Sequence, residues 1–247
     1  MSLSRSLHGR HVLVMGGSSG IGEATATLLA ADGAEVVITG RDRARLDAAV
    51  ERIGGKTTGH RLDATDQAGV DEFFAASTEP IDHLVLALSG AAGSGPIAGL
   101  DLDDLAAGFA GKFWPFVRVL QAALPRLSAN ASVTFVTAAS AGAAFPGTAG
   151  LAAINGALQA MVAPLAVELA PIRVNAVSPG VIDTPWWEAI PSEARAELFT
   201  GISAATPVGR VGRADEVADV IRLFVGNGFM TGTVIDCTGG ANLATGR

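Results

Sequence analysis

Residues 11–40 read HVLVMGGSSGIGEATATLLAADGAEVVITG, and the order of residue types in this stretch decides the fold. The opening HVLVMGG is a short apolar run that ends in glycines, the pattern of a strand buried on both faces. GIGEATATLLAADGA (20–34) follows with helical periodicity and stops at Gly33. EVVITG (35–40) is a second β-branched run. Strand, glycine loop, helix and strand in that order make a βαβ unit, whose two strands must lie parallel.

The same alternation continues to the end of the chain. RDRARLDAAVERIGG (41–55), a helix closed by Gly54 and Gly55, leads to strand 57–62, helix 67–77 and strand 82–88. A long helical region spans about 101–127, then strand 132–137, helix 151–169 and strand 172–178. A loop with a short helix near 188–200, helix 214–225 and strand 233–237 complete the pass. Continuous apolar strands separated by helices predict an α/β, doubly wound parallel sheet with helices on both faces. No linker-like composition interrupts the series, so residues 1–247 are expected to form one domain. Ligands of such sheets bind beyond the carboxyl ends of the strands, which selects the residues able to matter.

Composition narrows the function classes. The net charge of −7 argues against general nucleic-acid binding. A single cysteine, Cys237, excludes an internal disulfide and fits a cytoplasmic protein. No apolar stretch reads as a bilayer span, and MSLSRSLHGR lacks the apolar core of a signal peptide. The mean hydropathy of +0.40 predicts apolar surface covered by other subunits. Helices 101–127 and 151–169 are apolar or small on most faces, so a homo-oligomer is expected. No His, Cys and carboxylate cluster has metal-ligand spacing, so no catalytic metal is expected.

GGSSGIG (16–22) joins the first strand to the first helix. In Gly16, Ser18, Ser19, Gly20, Ile21 and Gly22 the chain has the means to turn tightly and present helix-start amides to a pyrophosphate. The second strand ends in Gly40-Arg41 rather than in a carboxylate that would bind a ribose 2′-hydroxyl. Arg41, with the Ser18 hydroxyl, therefore suits a 2′-phosphate and predicts NADP(H) as the cofactor. Asp63, closing the third strand, is placed to meet an adenine amino group.

These residues, together with IRVNAVSPGVIDTP (172–185) and TGTVIDCTGG (231–240), resemble the short-chain dehydrogenase/reductase family over nearly the whole chain. The resemblance implies a Rossmann-like sheet of about seven strands that binds NAD or NADP. It also implies that Pro179, Gly180 and Val181 line the nicotinamide, with Thr184 near its carboxamide. The region near 184–205 corresponds to a substrate lid. Its Trp186 and Trp187 either contact substrate or pack the lid to the core. A tetramer is the common assembly implied.

The departures from the family pattern are equally specific. The family's Asn-Asn-Ala-Gly segment is replaced by LALSG (86–90), in which Ala87 and Ser89 keep a wall of small residues. Its Tyr-x-x-x-Lys falls on Leu151 and Asn155, and the chain contains no tyrosine. In the family that phenol exchanges the proton of the carbonyl group and the lysine lowers its pKa. The catalytic serine falls near Ala138 or Ala139, with Ser140 the nearest hydroxyl, and the helix asparagine falls on Lys112. Loss of a positioned general acid typically costs ~10²–10⁴-fold in rate.

Lys112 is one of only two lysines, the other being Lys56. Pro115, three residues on, removes a hydrogen bond to the Gly111 carbonyl and is expected to kink the helix. Two readings of Lys112 stand: a group turned into the site, or a solvated residue in a broken helix. Ser140 and Asn155 are further candidates to orient a substrate oxygen. The histidines fall at strand beginnings or within strands, away from the expected site. The function expected is hydride transfer between NADP(H) and a small hydrophobic carbonyl or alcohol, with non-standard proton transfer. Two alternatives stand beside it: a non-catalytic NADP(H) sensor or partner subunit, and a cofactor-independent lyase, against which the intact glycine loop counts.

Overall fold

The computed structural model describes residues 7–90 and 92–243. In chain order its first half comprises β1 (His11–Met15), α1 (Gly20–Ala31), β2 (Glu35–Gly40), α2 (Arg43–Ile53), β3 (Thr57–Arg61), α3 (Gln67–Ala76) and β4 (Ile81–Leu86). Then follow α4 (Leu102–Gly108), α5 (Trp114–Ala123), β5 (Leu127–Val136), α6 (Ala149–Glu168) and β6 (Arg173–Pro179). The chain ends through β7 (Ile182–Asp183), α7 (Ser192–Ala205), β8 (Gly212–Arg213), α8 (Ala214–Gly226) and β9 (Val234–Cys237).

Seven strands form one sheet in the order β3-β2-β1-β4-β5-β6-β9, every neighbouring pair parallel. The order reverses between β1 and β4, and a crevice opens at such a reversal beyond the strand ends. β7 and β8 pair separately near that same end. The central strands β1, β4 and β6 are buried on both faces, as their apolar runs require, whereas the edge strands β3 and β9 stay partly exposed. One face packs Leu13, Leu84, Val133, Phe135 and Ala176 under Phe74, Phe116, Leu158 and Val162. The other packs Val14, Ile38, Val85 and Val177 under Leu29, Leu46, Ile221 and Phe224. Phe116 and Phe135 are wholly buried and meet edge-on, with centroids 5.5 Å apart.

Three elements differ from the sequence reading. The helical region at 101–127 is divided: between α4 and α5 lies a π-helical turn, Phe109–Phe113, whose closing bond runs from the Trp114 N–H to the Phe109 carbonyl. Pro115, lacking an N–H for the Gly111 carbonyl, sits in the first turn of α5, and the helix widens before it instead of simply bending. Strand β5 begins at Leu127, before the apolar run starts, because its first residues still pair with β4. The helix after β7 runs over 192–205 rather than near 188–200. Helix α6 is also long and apolar enough to cross a membrane, contrary to the expectation of no such stretch. It lies along the sheet, with Ile154, Leu158, Val162 and Ala166 buried.

Candidate active site

At the reversal of strand order, the Ala87 N–H bonds the Met15 carbonyl at 2.9 Å, bringing the ends of β1 and β4 together. Gly16 has φ +82°, and a Cβ there would stand 2.7 Å from the Ala87 carbonyl oxygen. A Cβ on Gly22 would stand 2.1 Å from the Gly16 oxygen. The loop closes on α1 only because neither residue has a side chain. Ser19 precedes α1 in extended conformation, and no side chain caps the helix. Its first amides are thus left for a ligand of negative charge. A side chain at Gly20 would meet Thr184 at 3.3 Å, which places Thr184 against the loop. Gly16, Ser18, Ser19, Gly20, Ile21, Gly22 and Thr184 thus form one cradle whose geometry fits a dinucleotide.

A second cluster stands at the ends of β2 and β3. A Cβ on Gly40 would lie 2.6 Å from Ser18 Oγ, so any larger residue at position 40 would displace that hydroxyl. Arg61 Nε donates to the Arg41 carbonyl at 3.0 Å, setting two exposed arginines side by side. Asp63 accepts from the Thr65 N–H at 2.9 Å and from its hydroxyl at 2.7 Å. The Thr65 N–H above all, then its hydroxyl and the nearby guanidiniums, hold the Asp63 carboxyl below its usual range against partial burial. The sequence reading passed over Arg61. It ends the strand beside Gly40, a position that the pairing of β2 with β3 makes adjacent.

Across the crevice lies a buried polar junction. Lys112, in the π-helical turn, is 8% exposed, which settles its orientation in favour of the protein interior. A side chain on Gly90, in the segment after β4, would meet Lys112 Cβ at 3.8 Å. Lys112 Nζ donates to Asn155 Oδ1 at 2.8 Å and to the Thr137 carbonyl at 3.4 Å. It also lies 5.9 Å from the centroid of the Phe116 ring. Among the described residues no carboxylate pairs with it. Burial without a counter-charge pushes its ammonium down to about 8, because desolvation penalises the charged form.

Asn155 passes the contact onward. Its Nδ2 donates to the Leu151 carbonyl at 3.0 Å and to Ser140 Oγ at 3.3 Å. Ser140 lies in a short 3-10 turn, Ala139–Ala141, just past the carboxyl end of β5. Gln159, one turn after Asn155 on α6, donates to Thr137 Oγ1 at 3.0 Å, and that hydroxyl donates to the Val177 carbonyl at 3.0 Å. Lys112, Asn155 and Ser140 therefore meet although they come from three elements. Thr137 and Gln159 were missed in the sequence. Their signals are the strand-end position of Thr137 and the four-residue spacing of Gln159 from Asn155 on one helix face.

Val181 and Gly180 are fixed by backbone bonds, Gly212 N–H to the Val181 carbonyl and Gly180 N–H to the Cys237 carbonyl. Ala87 is partly buried against the core cluster that contains Val14 and Val85, and Ser89, two residues on, is exposed. In the lid, Trp187 Nε1 donates to the Ile182 carbonyl at 2.9 Å, and its ring meets Phe199 edge-on. Trp186 stacks edge-on against Trp187 at 4.5 Å and is 44% exposed. Trp187 thus ties this segment to the Ile182 backbone, and Trp186 is the more open of the two rings. His83 is buried at the start of β4, its Nδ1 2.8 Å from Ser132 Oγ, and burial lowers its pKa to about 4. It belongs to the core. Among the described residues no group of three potential ligands could hold a metal ion.

Known proteins share this fold. Residues 16–242 match the family model described as enoyl-(acyl carrier protein) reductase. A short-chain dehydrogenase/reductase of Stachybotrys chlorohalonatus is 31% identical, covering 96% of this chain and 99% of its own. The 3-oxoacyl-[acyl-carrier-protein] reductase of Thermotoga maritima is 31% identical over 95% of this chain and 98% of its own. A small-chain dehydrogenase solved in complex with NADPH superposes with a TM-score of 0.80 at 29% identity, covering 95% of this chain and 99% of that one. The family model over residues 16–242 and the full-length similarity lead to one conclusion: the chain belongs to the short-chain dehydrogenase/reductase family, oxidoreductases that bind a nicotinamide cofactor.

Proposed function

We propose that this chain is an NADP(H)-dependent oxidoreductase that moves hydride between the nicotinamide and the carbonyl or alcohol carbon of a small hydrophobic substrate. Bound NADPH supplies the hydride. The glycine loop would hold the pyrophosphate, and Ser18 and Arg41, with Arg61 beside them, would take the 2′-phosphate. Support for the 2′-phosphate comes from Gly40, where a carboxylate would displace the Ser18 hydroxyl. Pro179, Gly180, Val181 and Thr184 would border the nicotinamide, Asp63 the adenine, and Trp186 the apolar part of the substrate.

The observation that carries the reading is the buried, carboxylate-free Lys112 joined to Asn155 at the carboxyl edge of the sheet. A cation there is worth far more than in water, and it favours the negative charge that builds on a carbonyl oxygen as hydride arrives. With its pKa lowered to about 8, the ammonium remains charged at neutral pH and keeps that stabilisation, while the alkoxide takes its proton from solvent. Leu151, which cannot titrate, favours a second reading as a non-catalytic NADP(H) sensor.

One assay separates the two. Purified protein with NADPH and a panel of apolar aldehydes and ketones is expected to consume NADPH absorbance with at least one of them. Saturable NADPH binding without turnover on any member replaces the enzyme by the sensor. Assembly as a homotetramer is part of the same proposal, through α4 to α6, where Leu102, Trp114 and Val167 are exposed at 75%, 50% and 80%. A monomer by light scattering at micromolar concentration removes it.

A further inference from the structure

The direction of each hydrogen bond at the junction is fixed by elementary chemistry. An ammonium only donates, so the atom of Asn155 that faces Lys112 at 2.8 Å must be the amide oxygen. A backbone carbonyl only accepts, so the atom that faces Leu151 must be the amide nitrogen. Both ends of the side chain therefore demand the same orientation, and no flip of the amide satisfies either. It follows that Ser140 Oγ accepts from Asn155, and the hydroxyl proton of Ser140 is directed elsewhere. That proton finds no acceptor among the described residues, and Ser140 is partly exposed at the carboxyl end of β5.

We propose that Asn155 is a positioning residue that holds Lys112 and passes its charge to the Ser140 hydroxyl, which is the group that meets the substrate oxygen. Donors aligned head to tail polarise one another, so the ammonium strengthens the last donor in the line. The amide carries no proton onward, because its nitrogen protons do not leave at neutral pH. Lys112 thus acts through Asn155 by field and orientation. The identity of the oxygen rests on the oxidoreductase reading above, whereas the line from Lys112 to Ser140 does not.

The test uses the two-lysine composition. Protein labelled with 13C at lysine Cε has two side-chain signals, and the one absent from Lys112→Met reports the titration of Lys112. Asn155→Asp is expected to raise its midpoint by about one unit or more, because a carboxylate then faces the ammonium. Asn155→Leu is expected to lower it, and Ser140→Ala to leave it unchanged within about 0.3 unit, as expected of a residue that the ammonium does not touch. In turnover, Asn155→Leu and Ser140→Ala are each expected to reduce kcat/KM by ~10-fold or more with unchanged NADPH affinity, and the double variant to be no worse than the weaker single one. A Lys112 midpoint indifferent to both substitutions at Asn155 overturns the positioning role. Multiplying losses in the double variant overturn the transmission to Ser140. Should Asn155→Leu fail to fold, Asn155→Asp decides the first point alone. A wild type without turnover removes the substrate contact of Ser140 together with the oxidoreductase reading, while the lysine midpoint still decides what Asn155 does.

Discussion

The two sides of the crevice differ in what they are made of. On the nucleotide side the working parts are backbone: glycines that allow close approach, and amides at the start of α1. On the opposite side the proposed chemistry rests on side chains, Lys112, Asn155, Ser140, Thr137 and Gln159, held by hydrogen bonds between separate elements. Backbone geometry has few substitutes, since a Cβ at Gly22 would stand 2.1 Å from the Gly16 oxygen. A charge can be delivered by any element that reaches the place. Here the lysine comes from the π-helical turn, and α6 contributes the asparagine. A site built from backbone is fixed by local geometry, whereas one built from side chains depends on which elements reach the place.

The sharpest way to break this comparison is Lys112→Met. NADPH affinity should remain nearly unchanged, because the cradle does not involve Lys112. kcat/KM should fall by ~10²-fold or more, about 2.7 kcal/mol of transition-state stabilisation. In the wild type, carbonyl reduction should decline as pH rises through about 8, where the ammonium is lost, and the variant should lack that limb. Equal turnover in the two proteins would take Lys112 out of the chemistry.

Next in size is a stability effect that marks the chemical side as strained. The folded pKa of Lys112 is lowered to about 8 from an ordinary 10.5. Between these values the unfolded chain binds the proton and the folded one does not, so stability rises with pH across that window and is level below it. Wild type should gain about 2 kcal/mol from pH 7 to 9.5 relative to Lys112→Met, as read by denaturant unfolding. Parallel pH profiles would mean that Lys112 titrates as a solvated lysine.

The smallest expected effect lies on the nucleotide side. NADP(H) should bind at least tenfold more tightly than NAD(H), about 1.4 kcal/mol, and Arg41→Ala should abolish the preference. Equal affinities in the wild type would turn the side-by-side pair of Arg41 and Arg61 into surface charge alone.

The nucleotide side was legible in the sequence because glycines are required by local backbone geometry, and local geometry is written in consecutive residues. The parallel sheet with helices on both faces followed from the alternation of apolar runs and helices, while its strand order is set by long-range pairing. The chemical side was legible only in part. Lys112 stood out as one lysine of two, but its orientation depended on a turn of π-helix that Pro115 alone did not specify. Its partner Thr137 and the supporting Gln159 are unremarkable in composition, and they matter because β5 and α6 bring them together. Arg61 was hidden for the same reason, since its neighbour Arg41 lies twenty residues away and is reached only across the sheet.

The tryptophan pair in the lid has an optical consequence. With no tyrosine in the chain, near-ultraviolet emission arises from Trp114, Trp186 and Trp187, and two of these three sit edge-on in the segment that would cover the substrate. Trp187 is bonded to the Ile182 carbonyl, while Trp186 is half open to water. Intrinsic fluorescence therefore reports mainly on this loop, and a Trp186→Phe variant provides the blank against which its movement can be followed without any added dye.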